Sequence, residues 1–279
     1  MTVDLFHKTS SDCSKVVTEN YSTSFSSAIR LLHADLRRPI FHIYGFVRLA
    51  DEIVDTFHGH DKKKLLAEFR EQTFEAIAQG LSLNPILNSF QKAVNQFDIG
   101  HDLIDAFFSS MESDLTESRY DRQGYEAYIY GSAEVVGLMC LAVFCEGDMN
   151  RYEALKASAR SLGAAFQKVN FLRDIQADFT GLSRMYFPGC NFYNFTEGEK
   201  RAIESDIEAD FQAAYAGILK LPMKARFGVY VAYKYYHSLF DRIKETAPAH
   251  ILHKRIRIPN YYKAYIVFRA TVKNRLRLI

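Results

Sequence analysis

Apolar residues recur every three or four positions through nearly every stretch between chain breakers, and this periodicity restricts the sequence to helices packed on helices. Strand-like alternation is scarce. The breakers are few, 14 Gly and 6 Pro in 279 residues, too few for the turns of an all-β sandwich or barrel. Pro39 near the start and Gly59 past the end bracket a helix over Arg38–Phe57. Asp61 caps one running to Gln79 with Gly80 as its stop, and Asn84-Pro85 opens another that leads to Phe97. Further helices are expected at Asp102–Glu117, Gly124–Phe144, Arg151–Phe179, Glu199–Leu219, Met223–Glu245 and Tyr261–Arg277. No Pro-, Gly- or Ser-rich linker divides them and no short-period repeat appears, so residues 1–279 read as one all-α domain.

Hydrophobic residues at 48% and charged residues at 24% exclude disordered, collagen-like and coiled-coil classes. With 35 Lys and Arg against 33 Asp and Glu the formal charge is +2, which points to no nucleic-acid partner. Cys13, Cys140, Cys145 and Cys190 show no CxxC spacing, and no secretory segment precedes Cys13; a reduced cytoplasmic setting is the expectation. Apolar runs such as Val135–Cys145 fall short of the roughly 20 residues of a spanning helix. The 22 Phe and 17 Tyr fit either a generous core or a large apolar cavity. Apart from His58-Gly-His60 the histidines show no metal-ligand spacing, and no GxGxxG or GxxxxGK[ST] pattern occurs. NADPH is therefore not expected, although a reductant site need not carry that signature.

Within the apolar helix Arg38–Phe57, the residues Tyr44, Arg48, Asp51 and Asp55 stand four, three and four apart, in one stripe on one face. Alone, such a stripe reads as a solvated face. The segment Ser158–Phe179 carries a second one, Gln167, Asn170, Asp174 and Asp178, among Leu162, Phe166, Val169, Phe171, Leu172 and Ile175. Polar groups on helices this apolar point to an interior, where carboxylates must be paired or bind metal. With 119 positions between Asp55 and Asp174, the two helices can face each other across a bundle and bring four carboxylates together. Oxygen-only ligands suit a hard divalent cation, and Mg²⁺ typically takes about one or two carboxylates together with substrate phosphates and water. Arg48 and Arg173 either pair with the neighbouring Asp or contact that phosphate directly.

These residues stand in a series of stretches that resembles the squalene/phytoene synthases, the head-to-head prenyl transferases, most closely the bacterial phytoene synthases among them. In order they are Tyr21-Ser-Thr-Ser-Phe25, Ile43-Tyr-Gly-Phe-Val-Arg-Leu-Ala-Asp51-Glu-Ile-Val-Asp55, Tyr128-Ile-Tyr-Gly131, Gln167-Lys-Val-Asn170-Phe-Leu-Arg-Asp174-Ile-Gln-Ala-Asp178 and Arg184-Met-Tyr-Phe-Pro188. The resemblance implies an isoprenoid (terpenoid) synthase bundle around a central apolar cavity, its mouth lined by both Asp motifs. It implies Mg²⁺, with Mn²⁺ as a substitute, on Asp51, Asp55, Asp174 and Asp178 with Asn170 beside them. It places Tyr44, Arg48, Gln167, Arg173, Ser24 and Phe25 against the diphosphate or the reacting allyl unit, Tyr130 as a cavity tyrosine, and Arg255 as a C-terminal diphosphate contact. Tyr233 is a weaker match, because it stands further from Arg255 than the pattern calls for. Tyr21 stands where some relatives carry histidine, and no catalytic role is assigned to it.

The implied reaction joins two prenyl diphosphates through a cyclopropylcarbinyl diphosphate. Two geranylgeranyl diphosphates would give phytoene without reductant; two farnesyl diphosphates would give dehydrosqualene, or squalene with NADPH. Some members of the superfamily are assembly factors that have lost motif aspartates, whereas all four stand here. From Ala249 onward the chain has eight Lys and Arg and no Asp or Glu, interleaved with apolar residues. That is either a solvated basic tail or a peripheral contact to anionic membrane.

Overall fold

A computed structural model describes residues 2–181, 184–190, 192–253, 255–276 and 278–279, without the side chains of residues 178–181. The described residues form helices and no named strand; the one β-bridge pairs Arg119 with Met185. In chain order the helices are α1 (Val3–Tyr21), α2 (Thr23–Ile29), α3 (Ala34–Asp55), α4 (Lys62–Gln79), α5 (Pro85–Phe97), α6 (His101–Ser113) and α7 (Arg122–Ile129). After a π turn at Tyr130–Glu134 follow α8 (Val135–Cys145), α9 (Met149–Gly181), α10 (Glu197–Ile218), α11 (Met223–Lys244), α12 (Pro248–Ile251) and α13 (Asn260–Arg275).

The punctuation works as the sequence implies. Asp61 accepts from the Lys64 amide at 3.0 Å, Gly80 ends α4 at φ 68°, and Asn84 caps α5 with Pro85 in its first turn. The start of α3 differs: the helix begins at Ala34, so Pro39 lies inside it. Three helices, α1, α2 and the four-residue α12, stand where no periodic signal predicted any; α1 is the longest of them. The reason lies in what α1 buries: Ser10, Ser11, Ser14 and Thr18. These small polar residues let α1 approach α3 so closely that a Cβ on Gly45 would come within 2.7 Å of Ser14 Oγ. Their hydroxyls find partners on the helices that α1 packs against, Ser11 with His42 of α3 at 2.8 Å, and Ser14 with Ser89 at 2.6 Å and Ser10 with Asn88 at 2.8 Å on α5.

Behind α3, Phe46 stacks on Phe90 with ring centroids 3.9 Å apart and meets Phe69, Phe107 and Phe108. One continuous core runs from Ile29 to Ile279. The expected helix Gly124–Phe144 is an unbroken rod, Arg122–Cys145, carrying the π turn. Contrary to the reading of apolar runs, it is long and apolar enough to cross a bilayer, yet 61% of its most apolar window is buried against other helices. It packs beside α9 at two close approaches. A Cβ on Gly137 would stand 2.8 Å from the Ala159 carbonyl oxygen, and one on Gly163 would stand 2.5 Å from that of Ala133. The C-terminal segment is no free tail: α13 folds and packs on α11 through Ile266 and Ala270.

Candidate active site

Helices α3, α8, α9 and α11 wall a cavity of about 520 Å³. Along α9 its lining runs from Leu155 to Asp174, which at 1.5 Å per residue is about 28 Å. The polar residues sit at one end. On α3, Ile40 and Ile43 give way to Tyr44, Arg48, Asp51 and Asp55; on α9, Leu155 and Leu162 give way to Gln167, Asn170, Arg173 and Asp174. Both helices therefore deliver their C-terminal ends to one mouth, which Arg184 and Arg255 complete. Phe25 ties the two walls together, its ring 5.7 Å from Tyr44, 6.0 Å from Phe166 and 5.5 Å from Tyr236. The aromatic surplus thus serves both outlets, a packed core behind α3 and the wall of the cavity.

Three described motif aspartates, Asp51, Asp55 and Asp174, face this cavity, and each is held by arginine. Asp55 accepts from Arg184 at 2.8 Å, and Asp174 forms an ion pair with Arg255, 2.8 Å from its Nε, and accepts from Arg173 Nε at 3.0 Å. Asp51 lies 3.9 Å from Arg48, whose main partner is Glu52. Beyond Arg48 and Arg173, which stand beside the motifs in sequence, Arg184 and Arg255 supply further cations from distant parts of the chain. Among the described residues, no three His, Cys, Asp or Glu side chains gather closely enough to hold a cation unaided. The side chain of Asp178 lies outside the described residues.

Desolvation pushes the Asp51 carboxyl up to about 7, opposed by Arg48 and reinforced by Asp55 and Asp114. About a third of that side chain, 32%, remains accessible through the mouth, so metal or solvent can still reach it. Arg173 is held well above its ordinary value: burial opposes, but its bond to Asp174 prevails. Arg48 stacks over the Tyr21 ring at 4.4 Å, and its Nε is buried without an acceptor, an unfilled place for an anionic oxygen. Down the α9 wall, Asn170 donates to Gln167 at 3.3 Å and accepts from the Tyr236 hydroxyl at 3.2 Å.

Three expected residues are not brought to the cavity. On α2 the lining face is Ser22, Phe25, Ala28 and Ile29, and Ser24 falls off it. Tyr130 lies two positions from both Tyr128 and Ser132, which do line the wall; its ring faces away, with the Arg160 guanidinium 5.3 Å from its centroid. On α11 the lining residues include Ala232 and Tyr236, and Tyr233 turns instead to Phe211 at 5.4 Å.

Sequence reasoning missed Asp114 and gave Arg184 no role. Asp114 ends α6, where the helix dipole disfavours a carboxylate, and that mismatch was the available signal. It is buried, accepts from the hydroxyls of Tyr128 at 2.6 Å, Tyr186 at 3.2 Å and Tyr120 at 3.3 Å, and its backbone carbonyl accepts from Arg184 at 2.9 Å. Burial pushes its carboxyl up to about 6, with Arg184 opposing. The oxygen-only donor set of Asp51, Asp55, Asp174 and Asn170 fits a hard divalent cation, provided the carboxylates turn from their arginines.

Residues 18–199 match the family model described as squalene/phytoene synthase. A phytoene synthase from Arthrospira platensis is 25% identical over 272 residues, covering 88% of this chain and 87% of the relative. A 4,4'-diapophytoene synthase from Staphylococcus haemolyticus is 28% identical over 203 residues, covering 70% of this chain and 67% of the relative. Among solved structures, a ligand-bound dehydrosqualene synthase superposes with a TM-score of 0.84 at 17% identity, covering 96% of this chain and 98% of its own.

Proposed function

Because the chain belongs to the squalene/phytoene synthase family of head-to-head prenyl transferases, we propose that it joins two geranylgeranyl diphosphates to phytoene, dependent on Mg²⁺ and without reductant. The observation that carries the reading is the polarity gradient of the cavity: arginine and aspartate at the mouth, then about 17 Å of largely apolar wall along α9 from Phe166 to Leu155. A diphosphate head with a long hydrocarbon tail matches that gradient.

Asp51, Asp55 and Asp174 with Asn170 would hold Mg²⁺, which when bound supplies charge neutralisation for the departing diphosphate. Arg48, Arg173 and Arg255 bind the diphosphate oxygens by charge-assisted hydrogen bonds, and Arg48 already presents an unpaired Nε there. Phe25, Tyr44, Phe166 and Tyr236 surround the carbon skeleton below the head, exclude water and present ring faces to developing positive charge. Burial pushes the Tyr44 phenol up to about 12, with Tyr236 adding to the rise and the bond to Ser22 opposing it, so Tyr44 keeps its proton and acts as a neutral dipole. We assign removal of the final proton to the departing diphosphate, which stays beside the carbon skeleton at the mouth.

The 28% identity to a 4,4'-diapophytoene synthase favours a second reading, two farnesyl diphosphates joined to a C30 product. One assay decides: purified protein is incubated with Mg²⁺ and either geranylgeranyl or farnesyl diphosphate, with and without NADPH, and the lipid extract is analysed. Phytoene from the C20 substrate without NADPH is the expected result. A C30 product alone supports the second reading, and no hydrocarbon from either substrate overturns both.

A further inference from the structure

Helix α13 has two apolar faces, and only one of them is used. Ile266 and Ala270 are buried against α11. On the opposite side Tyr261, Tyr265, Phe268, Val272 and Leu276 all stand exposed, Phe268 at 67%. At 100° per residue these five fall within an arc of about 80°, centred roughly opposite Ala270, so they form a continuous ridge along the helix. Elsewhere the exposed apolar residues stand singly or in sequence pairs, such as Tyr193 and Leu81 with Leu83. The same geometry sets Arg269 and Lys273 along one edge of the ridge and Arg275 along the other. None of the three has a carboxylate within ion-pair distance among the described residues.

The charge is as one-sided as the ridge. Residues 249–279 hold eight of the 35 Lys and Arg and no acid, leaving 27 basic against 33 acidic residues elsewhere. On the neighbouring α11, Lys234 lies 5.2 Å from the Tyr233 centroid and 5.7 Å from that of Tyr230, and burial together with the charges of Lys273 and Arg269 lowers its pKa against an opposing Asp241. Positive charge therefore gathers beside the ridge, and it selects the occupant. Two copies of this chain meeting ridge to ridge would oppose like charges, whereas an anionic bilayer offers apolar depth beneath a layer of negative headgroups. Tyr261 and Tyr265, amphipathic rings at the N-terminal end of the ridge, suit the interfacial layer.

We propose that the exposed face of α13 is a membrane-docking surface, lying in the plane of an anionic bilayer with Phe268, Val272 and Leu276 inserted and Arg269, Lys273 and Arg275 on the headgroups. It is independent of the reaction the cavity catalyses. The test is co-sedimentation of the full chain with vesicles of phosphatidylcholine alone or of equal parts phosphatidylcholine and phosphatidylglycerol. Binding is expected only to the anionic vesicles, weakened about fivefold for each basic side chain neutralised, so that Arg269→Gln with Lys273→Gln costs about 25-fold. Phe268→Ser is expected to weaken it roughly tenfold at unchanged helicity by circular dichroism. Absent binding, equal binding to both vesicle types, or binding indifferent to these variants overturns the proposal. So does a dimer in solution that Phe268→Ser dissociates while no variant affects lipid binding.

Discussion

Arg184 donates to Asp55 at 2.8 Å across 129 positions of sequence, while its other terminal nitrogen donates to the Asp114 backbone carbonyl at 2.9 Å. One buried guanidinium thus joins the end of α3 to the end of α6 behind the cavity mouth. Phe171 of α9 stacks on Tyr186, two residues further on, at 3.9 Å, so the same loop also touches the second aspartate helix. This short segment fixes where the two motifs stand relative to each other.

Removing that guanidinium is expected to be costly. In Arg184→Gln the Asp114 carboxyl stays buried without its cation, a loss of about 3–5 kcal/mol. Adding Asp114→Asn should recover most of it, because an amide needs no counter-charge. Urea unfolding of the two single variants and the double variant measures the coupling. Additive losses would show that the two side chains do not act as a unit.

The seam between α1 and α3 should respond to acid. Burial holds the His42 imidazole down to about 4 from its usual 6.5, with Lys92 and Arg38 adding to the effect, and its Nδ1 has no partner. A folded-state value below the unfolded one means that the unfolded chain binds the extra proton. The contribution is therefore complete above about pH 6.5 and is lost as pH falls towards 4, by about 2 kcal/mol at pH 5. His42→Gln, which keeps a polar group near Ser11, should show a correspondingly smaller drop in stability between pH 7 and pH 5.

The parts of this architecture that the sequence disclosed are those where one helix face repeats. Both aspartate stripes, the caps at Asp61 and Asn84 and the stop at Gly80 are local patterns, written within a turn or two of chain. Helix α1 was hidden because its buried face is Ser10, Ser11, Ser14 and Thr18, which a search for apolar periodicity reads as solvent-facing. The Arg184 to Asp114 link spans 70 positions and has no periodic trace. Tyr130 illustrates a third limit: its motif located the right helix, but a shift of two positions puts a side chain on the opposite face, and Tyr128 stands in the wall instead.

Product length should follow the free length of the cavity. Cys140 lines it on α8, beyond the Gly137 approach and away from the polar mouth. Cys140→Phe fills that stretch, at an overpacking cost of about 1–3 kcal/mol. The ratio of kcat/KM for geranylgeranyl over farnesyl diphosphate is expected to fall at least about tenfold, with farnesyl turnover retained. An unchanged ratio in a folded variant would place the chain end elsewhere.

The two aspartate helices should respond differently to loss of charge. Burial pushes the Asp51 carboxyl up to about 7, with Arg48 opposing, so Asp51→Asn removes an unfavourable charge and should leave stability unchanged or raised. Asp174 holds Arg255 at 2.8 Å and Arg173 at 3.0 Å, so Asp174→Asn removes the charge partner of Arg173 and should destabilise the protein by about 2 kcal/mol. Both variants are nevertheless expected to lose turnover by about a thousandfold with helicity intact, since each removes an anionic oxygen from the mouth. A thermal shift isolates the binding step. Mg²⁺ with inorganic diphosphate at about 100 times its dissociation constant should stabilise the unaltered chain by about 2.7 kcal/mol, and neither variant to the same extent. A variant that keeps full turnover and the full thermal shift removes its aspartate from the metal site.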